Sequence, residues 1–333
     1  MFNNLKNNYI LKIIFNNLKK RRKLKLLLHN KNLQKKINIT KKDFLEYKAL
    51  NEINKKYHMK IEDLDIDKLN LIGGAYPNDI LEDICKTNFK EIKSLDLSEN
   101  IISDIKELKN AKFNQLESLN FMENKIYNIN ILEKVNFQKL KYLDLSDNEI
   151  SDIKILEKVN FPNLEILYLS KNKISNINVF ENAPFKNLKE LYLNWNNISD
   201  KTFLDKIKLE KLETLDLGRN EIKEINIKGE INLYNLKELL LYRNKISDIN
   251  VFEKIIFYNL KKLDLNRNEI RDISVFEKVN FNKLKELNFS YNNISDIKIL
   301  EKVNFEELQI LNLSYNQISD IKVLEKVNFK QLQ

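Results

Sequence analysis

Few residues in this chain could support catalysis or metal binding. Histidine occurs only at His29 and His58, and Cys85 is the single cysteine. A zinc site needs three or four protein ligands around one ion, and these isolated residues cannot form a Cys/His cluster. A lone cysteine also excludes a disulfide framework, and the sequence has no G-x-x-x-x-G-K-[ST] phosphate loop. We therefore expect no metal, no cofactor, no small-molecule substrate and no enzymatic activity.

Carboxylate pairs are the remaining candidates for acid–base chemistry. Aspartates recur at equivalent positions of a repeated segment, at Asp96, Asp144, Asp216 and Asp264. One or two copies of the segment separate each aspartate from the next, so no two of them form a close pair of the kind that shares acid and base roles. We expect them to be solvated strand positions.

Residue types that dominate protein interfaces are concentrated in one column of the repeat. The residues that precede a recurring asparagine are Glu99, Glu123, Asp147, Lys171, Trp195, Arg219, Arg243, Arg267, Tyr291 and Tyr315. Neighbouring columns add Tyr142, Tyr168, Tyr192, Leu240 and Tyr242. Trp, Tyr and Arg contribute most of the binding energy in protein interfaces. The sequence therefore predicts a partner-binding site centred on Trp195, with the arginines and the neighbouring columns around it.

The charge order of this column indicates the kind of partner. It runs from an acidic end through the only tryptophan to three arginines and two tyrosines. Arginine pairs well with carboxylates, so an acidic or mixed segment of a protein partner is expected. Residues 61–333 are net acidic, which argues against nucleic acid. One alternative stays open, because exposed strand positions accept tyrosine for β-propensity alone.

A 24-residue repeat positions these side chains. Its unit is LKYLDLSDNEISDIKILEKVNFPN, from Leu140 to Asn163, and L-x-x-L-x-L-x-x-N is the signature by which a chain is identified as a leucine-rich repeat protein. The asparagine returns in one register at Asn100, Asn124, Asn148, Asn172, Asn196, Asn220, Asn244, Asn268, Asn292 and Asn316. Such a period is typical of a solenoid, in which each copy packs mainly on its neighbours.

Each unit predicts a strand, a turn and a short helix. Leu143 and Leu145 point into the core, and alternation places Tyr142 on the opposite face. The helix follows the asparagine, with Ser151 or Asp152 as its N-cap. An asparagine amide can both donate to and accept from buried backbone groups at the turn. The predicted fold is α/β: a right-handed leucine-rich-repeat solenoid with a curved parallel sheet on its concave face, short helices on its convex face and a small α-helical N-terminal segment.

A phenylalanine column closes the convex side of most units, but two units depart from it. Leu209 and Leu233 replace the phenylalanine there, and Lys201 and Lys228 replace core aliphatic residues. We expect a less regular convex side over residues 197–233, with a loop in place of the helix.

The N-terminal segment differs from the repeats in charge and pattern. Residues 1–60 hold 17 Lys or Arg against 3 Asp or Glu, whereas residues 61–333 hold 40 against 45. The net charge of +9 therefore belongs to this segment, whose apolar residues follow helical spacing. The predicted organisation is a basic helical segment over 1–60, a degenerate capping repeat over 61–91, and repeats with ten complete strand motifs over 92–333.

Two resemblances suggest more specific roles. Residues 9–37 resemble an F-box, although the proline and tryptophan usual in that family are missing; this would imply a Skp-like adaptor bound through residues 5–45. The same stretch contains the basic cluster Lys19–Lys25, which could instead serve nuclear import or polyanion binding. The pattern N-x-I-x-x-I-x-x-L-x-x-V over residues 92–333 resembles the subclass typified by the regulatory subunit of protein phosphatase 1, which implies a phosphatase-type regulatory role.

The remaining expectations concern location and the chain end. No apolar run approaches the ~18 residues needed to span a bilayer, no secretory signal is evident, and a cytoplasmic protein is expected, with a nuclear location as the alternative. No divergent repeat precedes Leu332 and Gln333, so we expect truncation or cover by another molecule at this end. The function predicted from the sequence is a non-catalytic protein-interaction scaffold that binds its partner on the concave face.

Overall fold

The computed structural model describes residues 49, 52, 53, 55–57, 68–87, 89, 92–327 and 329–332. The F-box-like stretch over residues 9–37, the range 5–45 expected to bind a Skp-like adaptor and the two histidines lie outside the described residues. The few described residues of the predicted N-terminal helical segment are helical. Ile53 is buried in the core, and the Tyr57 hydroxyl donates a hydrogen bond to Asp83 at 2.7 Å. This short helical piece therefore packs against the part of the chain that contains Asp83.

Short parallel strands recur once per repeat because the L-x-L leucines alternate with polar residues. Their bounds are β1 Lys68–Asn70, β2 Ser94–Asp96, β3 Ser118–Asn120, β4 Tyr142–Asp144, β5 Ile166–Tyr168, β6 Glu190–Tyr192, β7 Thr214–Asp216, β8 Ile231–Asn232, β9 Glu238–Leu240, β10 Ile255–Ile256, β11 Lys262–Asp264, β12 Glu286–Asn288 and β13 Ile310–Asn312. All except β8 and β10 form one sheet of 11 strands in chain order.

The register of this sheet turns sequence columns into physical columns. From β2 to β13 each residue pairs with the one 24 positions along the chain, as Leu143 does with Leu167. The capping strand β1 is offset by 26 residues, since Lys68 pairs with Ser94. Side chains one period apart therefore lie side by side, about 4.8 Å apart.

The convex side carries short helices, as predicted, but most are 3₁₀ rather than α. A 3₁₀ helix rises about 2.0 Å per residue, whereas an α-helix rises about 1.5 Å. A 3₁₀ helix therefore covers the convex side of a repeat with fewer residues. The 3₁₀ helices are Lys106–Asn110, Asn130–Lys134, Lys154–Glu157, Asn178–Glu181, Asn250–Lys254, Ser274–Glu277, Lys298–Glu301 and Lys322–Glu325, and the α-helices are α1 Asn78–Lys86 and α2 Phe203–Lys206. The N-cap position of Lys154–Glu157 is Ile153, which has no side-chain cap, so the predicted Ser151 or Asp152 cap is wrong. Asp152 lies one residue earlier, and its carboxylate accepts a hydrogen bond from the Lys154 N–H at 2.9 Å.

The two irregular repeats differ from each other. In the first, α2 forms and buries Phe203 and Leu204, while Lys201 is exposed. Phe203 and Leu204, two and three residues after Lys201, thus fill the core in place of the missing aliphatic side chain. The expectation of a loop is therefore wrong for this repeat. In the second, residues 221–230 contain no helix, and β8 pairs with β10 of the following repeat. The expected loop is confirmed there.

The recurring asparagines connect the backbones of successive coils. The Asn196 Nδ2 donates to the carbonyl oxygens of Leu169 at 2.9 Å and Leu193 at 3.0 Å, and its Oδ1 accepts from the Ile174 N–H at 2.9 Å. The same pattern repeats along the array, and the side chains from Asn100 to Asn292 are only 5–8% exposed. Each amide therefore satisfies backbone groups that water cannot reach.

The phenylalanine column packs ring against ring on the convex side. Phe113, Phe137 and Phe161 stack at centroid distances of 6.3 and 6.0 Å. A second run begins at Phe257, whose ring lies 5.6 Å from that of Phe281. All five of these rings are buried, so the column belongs to the core, as predicted.

Replacing a central asparagine should destabilise the array without removing any apolar contact. We expect Asn196→Ala to lower the free energy of unfolding by about 1–3 kcal/mol, since buried backbone groups lose their partner. Urea unfolding followed by circular dichroism measures the change. The neighbouring Asn197 is exposed, and Asn197→Ala is the matched control. Equal effects of the two substitutions would contradict the role of the buried amide.

Removing a stacked ring should have a larger effect. We expect Phe161→Ala to lower the free energy of unfolding by about 3–5 kcal/mol, because the buried ring leaves a cavity. The same unfolding measurement applies, and Tyr127→Ala, which truncates a ring that is 62% exposed, is the control. A loss below about 1 kcal/mol for the phenylalanine variant would show that this column is not part of the core.

Candidate protein-interaction site on the concave face

The residue before each recurring asparagine has a left-handed backbone. Its φ lies between 51° and 59° in every repeat from Glu99 to Tyr315, and none of the ten is glycine. The turn at this position ends the strand while keeping the ladder of hydrogen bonds, since the Trp195 N–H still donates to the Gly218 carbonyl at 2.8 Å. An L-residue pays about 1–2 kcal/mol for this conformation. The column therefore holds side chains that backbone preference alone would not select.

Trp195 lies in the middle of this column, between two cations. Its ring is 49% exposed. The guanidinium carbon of Arg219 lies 4.1 Å from the ring centroid, and the Lys171 Nζ lies 5.9 Å from it. Lys171 is itself held by Asp147, at 2.7 Å. Cation–π contacts of this kind fix the orientation of an exposed ring, so Trp195 is presented to solvent in an ordered position.

Arg219, Arg243 and Arg267 form a continuous arginine ridge on neighbouring strands. Arg267 stacks on Tyr291, with its guanidinium carbon 4.0 Å from the ring centroid, and Tyr291 stacks on Tyr315 at 4.1 Å. None of the three arginines has an ion-pair partner in the described part of the chain. Partial desolvation, followed by the charges of the two flanking arginines, lowers the pKa of Arg243. The ridge is a row of uncompensated positive charge.

Other columns of the array neutralise themselves between repeats. One of them joins Lys141 to Glu117, Lys189 to Glu165 and Lys237 to Glu213, at 2.6–2.8 Å. Such pairs at the surface contribute little stability individually, but they leave no strong local field. The arginine ridge departs from this pairing, and it is the feature of the concave face most suited to an external anion.

The tyrosines of the adjacent columns form a stack rather than an exposed cluster. Tyr142 lies 5.5 Å from Tyr168, and Tyr168 lies parallel to Tyr192 at 4.3 Å. All three are half-buried, and burial raises the pKa of each hydroxyl. Rings on neighbouring strands cover one another, so only part of each tyrosine is accessible. Their outer edges still line the face beside Trp195.

Tyr242 fits against a glycine and covers a carboxyl group. A Cβ built at Gly218 would lie 2.3 Å from the Tyr242 ring, so only glycine leaves room for that ring. The Asp216 carboxylate beneath it is only 6% exposed and accepts the Gly218 N–H at 2.8 Å. Burial raises the pKa of Asp216 to about 6, and the hydrogen bond from Gly218 limits this rise.

The aspartate column as a whole is structural, and the expectation of solvated positions is wrong for two of its members. Asp144 is only 4% exposed, because Tyr142 covers it and donates a hydrogen bond at 3.0 Å. Asp144 also accepts the Ser146 N–H at 2.9 Å, the same turn contact that Asp216 makes. Short carboxylate side chains commonly hold their own backbone two residues further on.

Other chemistry is sparse among the described residues. The Cys85 thiol is buried, which raises its pKa to about 12 and leaves it protonated at neutral pH. No group of three or more Cys, Asp or Glu side chains in the described ranges is arranged to hold a metal ion. The helices of the described residues are also all too short and too polar to cross a membrane.

Comparison with known families and structures agrees with this architecture. The family model described as leucine rich repeats in two copies matches residues 138–182, 234–278 and 282–326, and a single-repeat model matches residues 186–201. The chain contains leucine-rich repeats over these ranges. A comparison with curated proteins finds no match.

Solved leucine-rich-repeat structures resemble the chain over most of its length. An internalin of Listeria monocytogenes is 24% identical over 86% of this chain and 93% of that one, with a TM-score of 0.57. A leucine-rich-repeat protein of Leptospira interrogans is 26% identical over 76% of this chain and 62% of that one, with a TM-score of 0.58. The plant peptide hormone receptor RGFR1, solved in complex with RGF2, is 20% identical over 79% and 46%, with a TM-score of 0.51. These likenesses concern the fold.

The leucine-rich repeat brings together most of the residues singled out from the sequence, in two groups. Trp195 and the arginine ridge follow one column, whereas the half-buried Tyr242, Leu240 and the three packed tyrosines lie at neighbouring positions of the repeat. Sequence reasoning missed Lys171 and Gly218 as parts of the site. Lys171 could have been found because it belongs to the same column as Trp195. Gly218 could have been found because it lies one repeat before Tyr242, a spacing that indicates close packing of the ring on the glycine.

The buried Asp216 carboxyl should make stability depend on pH. Its pKa is raised in the folded state from 3.8 to about 6, so the folded protein binds this proton more tightly and stability is lost as pH rises through 6. We expect Asp216→Asn, which removes the buried charge, to stabilise the protein by about 2–3 kcal/mol at pH 7.5 and to have no stabilising effect at pH 4.

Urea unfolding midpoints at the two pH values measure this difference. Glu269 is exposed, and Glu269→Gln serves as the control that removes one surface charge. A gain for Asp216→Asn that is equal at both pH values would contradict the buried titration.

Proposed function

We propose that this leucine-rich-repeat protein is a non-catalytic interaction scaffold that binds a protein partner on its concave face, around Trp195 and the arginine ridge. The observation that carries the proposal is the row of three arginines, without ion-pair partners among the described residues, beside the exposed and ordered Trp195. Leucine-rich-repeat proteins generally serve as binding scaffolds, and the proposal assigns this chain a specific surface for that role.

The backbone supports this choice of surface. Asn, Asp and Gly are the residues that tolerate a left-handed position best, yet this column holds Trp, Arg and Tyr at Trp195, Arg243 and Tyr291. Conformational strain that is kept across a structure is a reason to look for function at the strained position.

The chemistry of the column favours an acidic or mixed protein segment. Three guanidinium groups without counter-ions repel one another, and carboxylates of a partner would relieve that repulsion while forming charge-assisted hydrogen bonds. Trp195 offers a flat apolar surface that is already ordered by Arg219, which lowers the entropy cost of binding. With strands about 4.8 Å apart, the five strand intervals from Tyr142 to Arg267 span roughly 24 Å, enough for a helix or loop.

Two narrower roles remain predictions from the sequence. An F-box-type adaptor of a ubiquitin ligase depends on residues 5–45, which lie outside the described residues. A phosphatase-type regulatory subunit depends on a repeat pattern shared by proteins of many functions, and fold does not settle function. Both roles would use the same concave face to select a partner, so they extend the proposal rather than oppose it.

The proposal is tested by a double substitution at the surface. We expect Trp195→Ala with Arg243→Glu to weaken binding of the captured partner by about 2–4 kcal/mol, because a hot-spot ring and a charge contact are lost together. The measurement is affinity capture with the full chain, followed by titration of the captured protein against both forms. The thermal melting curve should be nearly unchanged.

The matched control changes the same kinds of residue elsewhere. Tyr127 and Arg271 are exposed outside this column, and Tyr127→Ala with Arg271→Glu should leave binding intact. Equal weakening by both pairs, or loss of folding in the first, would show that the column is not the partner site.

A further inference from the structure

We propose that the arginine ridge recognises an acidic α-helix that lies along the solenoid axis, across the strands. This inference rests on the proposed function and adds to it the conformation and the charge spacing of the bound segment. It is carried by the geometry of the ridge, the aromatic residues at both of its ends and the absence of internal counter-charge among the described residues.

The outer two arginines are held with their hydrogen-bonding edges available. Arg219 lies against Trp195, with its guanidinium carbon 4.1 Å from the ring centroid, and Arg267 lies against Tyr291 at 4.0 Å. A guanidinium that stacks through its flat face keeps its N–H groups in the plane, free to bind carboxylates. Arg243, between them, is exposed and has no such stacking contact. The ridge thus presents three donors in a line, two of them pre-oriented.

The length of the ridge excludes a single small anion as its full complement. Three residues on adjacent strands cover about 10 Å, which is wider than one carboxylate or one phosphate. Satisfying all three guanidinium groups requires several anionic groups in a row. A partner segment with one acidic side chain would leave the mutual repulsion at Arg243 largely in place.

The spacing of the ridge matches a helix better than an extended peptide. Same-face residues of a strand are about 6.7 Å apart, so they fall out of step with arginines every 4.8 Å. On a helix, residues at i, i+3, i+4 and i+7 lie on one face, with axial steps of about 4.5–6 Å. Acidic residues at i, i+4 and i+7 cover about 10.5 Å along the helix axis, in step with Arg219, Arg243 and Arg267.

The ends of the column set the length and composition of this helix. From Trp195 to Tyr315 the column crosses five strand intervals, about 24 Å, which corresponds to about 16 helical residues. Trp195 at one end is 49% exposed, and Tyr315 at the other is 71% exposed. The matching helix is acidic in its middle and apolar toward its ends.

Designed peptides test this inference directly. We would use alanine-rich peptides of about 18 residues without tryptophan, carrying three Glu at i, i+4 and i+7, and a shuffled peptide of identical composition whose Glu residues point to different faces. Trp195 is the only tryptophan of the chain, so its fluorescence reports binding at the ridge. Titrations run at low ionic strength, because salt screens exposed charges.

The expected result is at least tenfold tighter binding of the one-face peptide than of the shuffled one, with a gain of helical circular dichroism on binding. Introducing proline in the middle of the one-face peptide should abolish the difference, because it breaks the helix. Arg243→Glu should weaken binding at least tenfold, whereas the control Arg271→Glu should not change it.

Three outcomes would overturn the inference: equal affinity for the one-face and shuffled peptides, no change of Trp195 fluorescence with either, or tighter binding of a single-stranded oligonucleotide than of the one-face peptide. The proposed function has a separate test. If the double variant loses its captured partner while the peptides show no preference for a helical face, the concave-face site stands and the helical mode of recognition is wrong.

Discussion

The buried asparagine amide is the interaction on which the rest of this structure depends. Each turn from strand to convex side leaves backbone groups between two coils, where water cannot satisfy them. One amide meets this need because it donates and accepts at once, as Asn148 does with the Phe121 carbonyl and the Ile126 N–H. From Asn124 to Asn316 the contact has equivalent partners in every repeat, because the coils have the same 24-residue length and the sheet keeps one register. Across the longer first coil, Asn100 still donates to the Leu71 carbonyl at 2.7 Å but accepts from the Tyr76 N–H at 2.9 Å.

The same register separates the demands of folding from those of recognition. Leucine, isoleucine and phenylalanine columns face inward and are nearly invariant along the chain, whereas the columns on the concave face differ from repeat to repeat. Because equivalent positions stay aligned over 11 strands, similar residues at one position of successive repeats form a continuous surface. The arginine ridge and the aromatic residues at its ends arise in this way, from ten side chains that share one turn geometry.

Local charge pairing explains why the ridge stands out. Lysines and glutamates one repeat apart pair along the array, as Lys173 does with Glu149 at 3.0 Å, and each such contact removes a charge from the field seen by a partner. The three arginines have no such ion pair among the described residues, and two of them, Arg219 and Arg267, lie over aromatic rings instead. Stacking orders Arg219 and Arg267 without neutralising their charges, so the proposed acidic partner would meet guanidinium groups that are already in place.

The sequence by itself determined the repeat length, the parallel columns, the inward leucines and phenylalanines, and the position of Trp195 beside three arginines. These features are readable because each repeat packs on copies of itself, so a one-dimensional pattern specifies its own environment. Only the tertiary structure decided the burial of Asp144 and Asp216, the overlap of the three tyrosines, the 3₁₀ form of most convex helices and the space that Gly218 leaves for Tyr242. These features depend on how particular side chains of neighbouring coils pack together. The pattern within a single repeat does not contain that information.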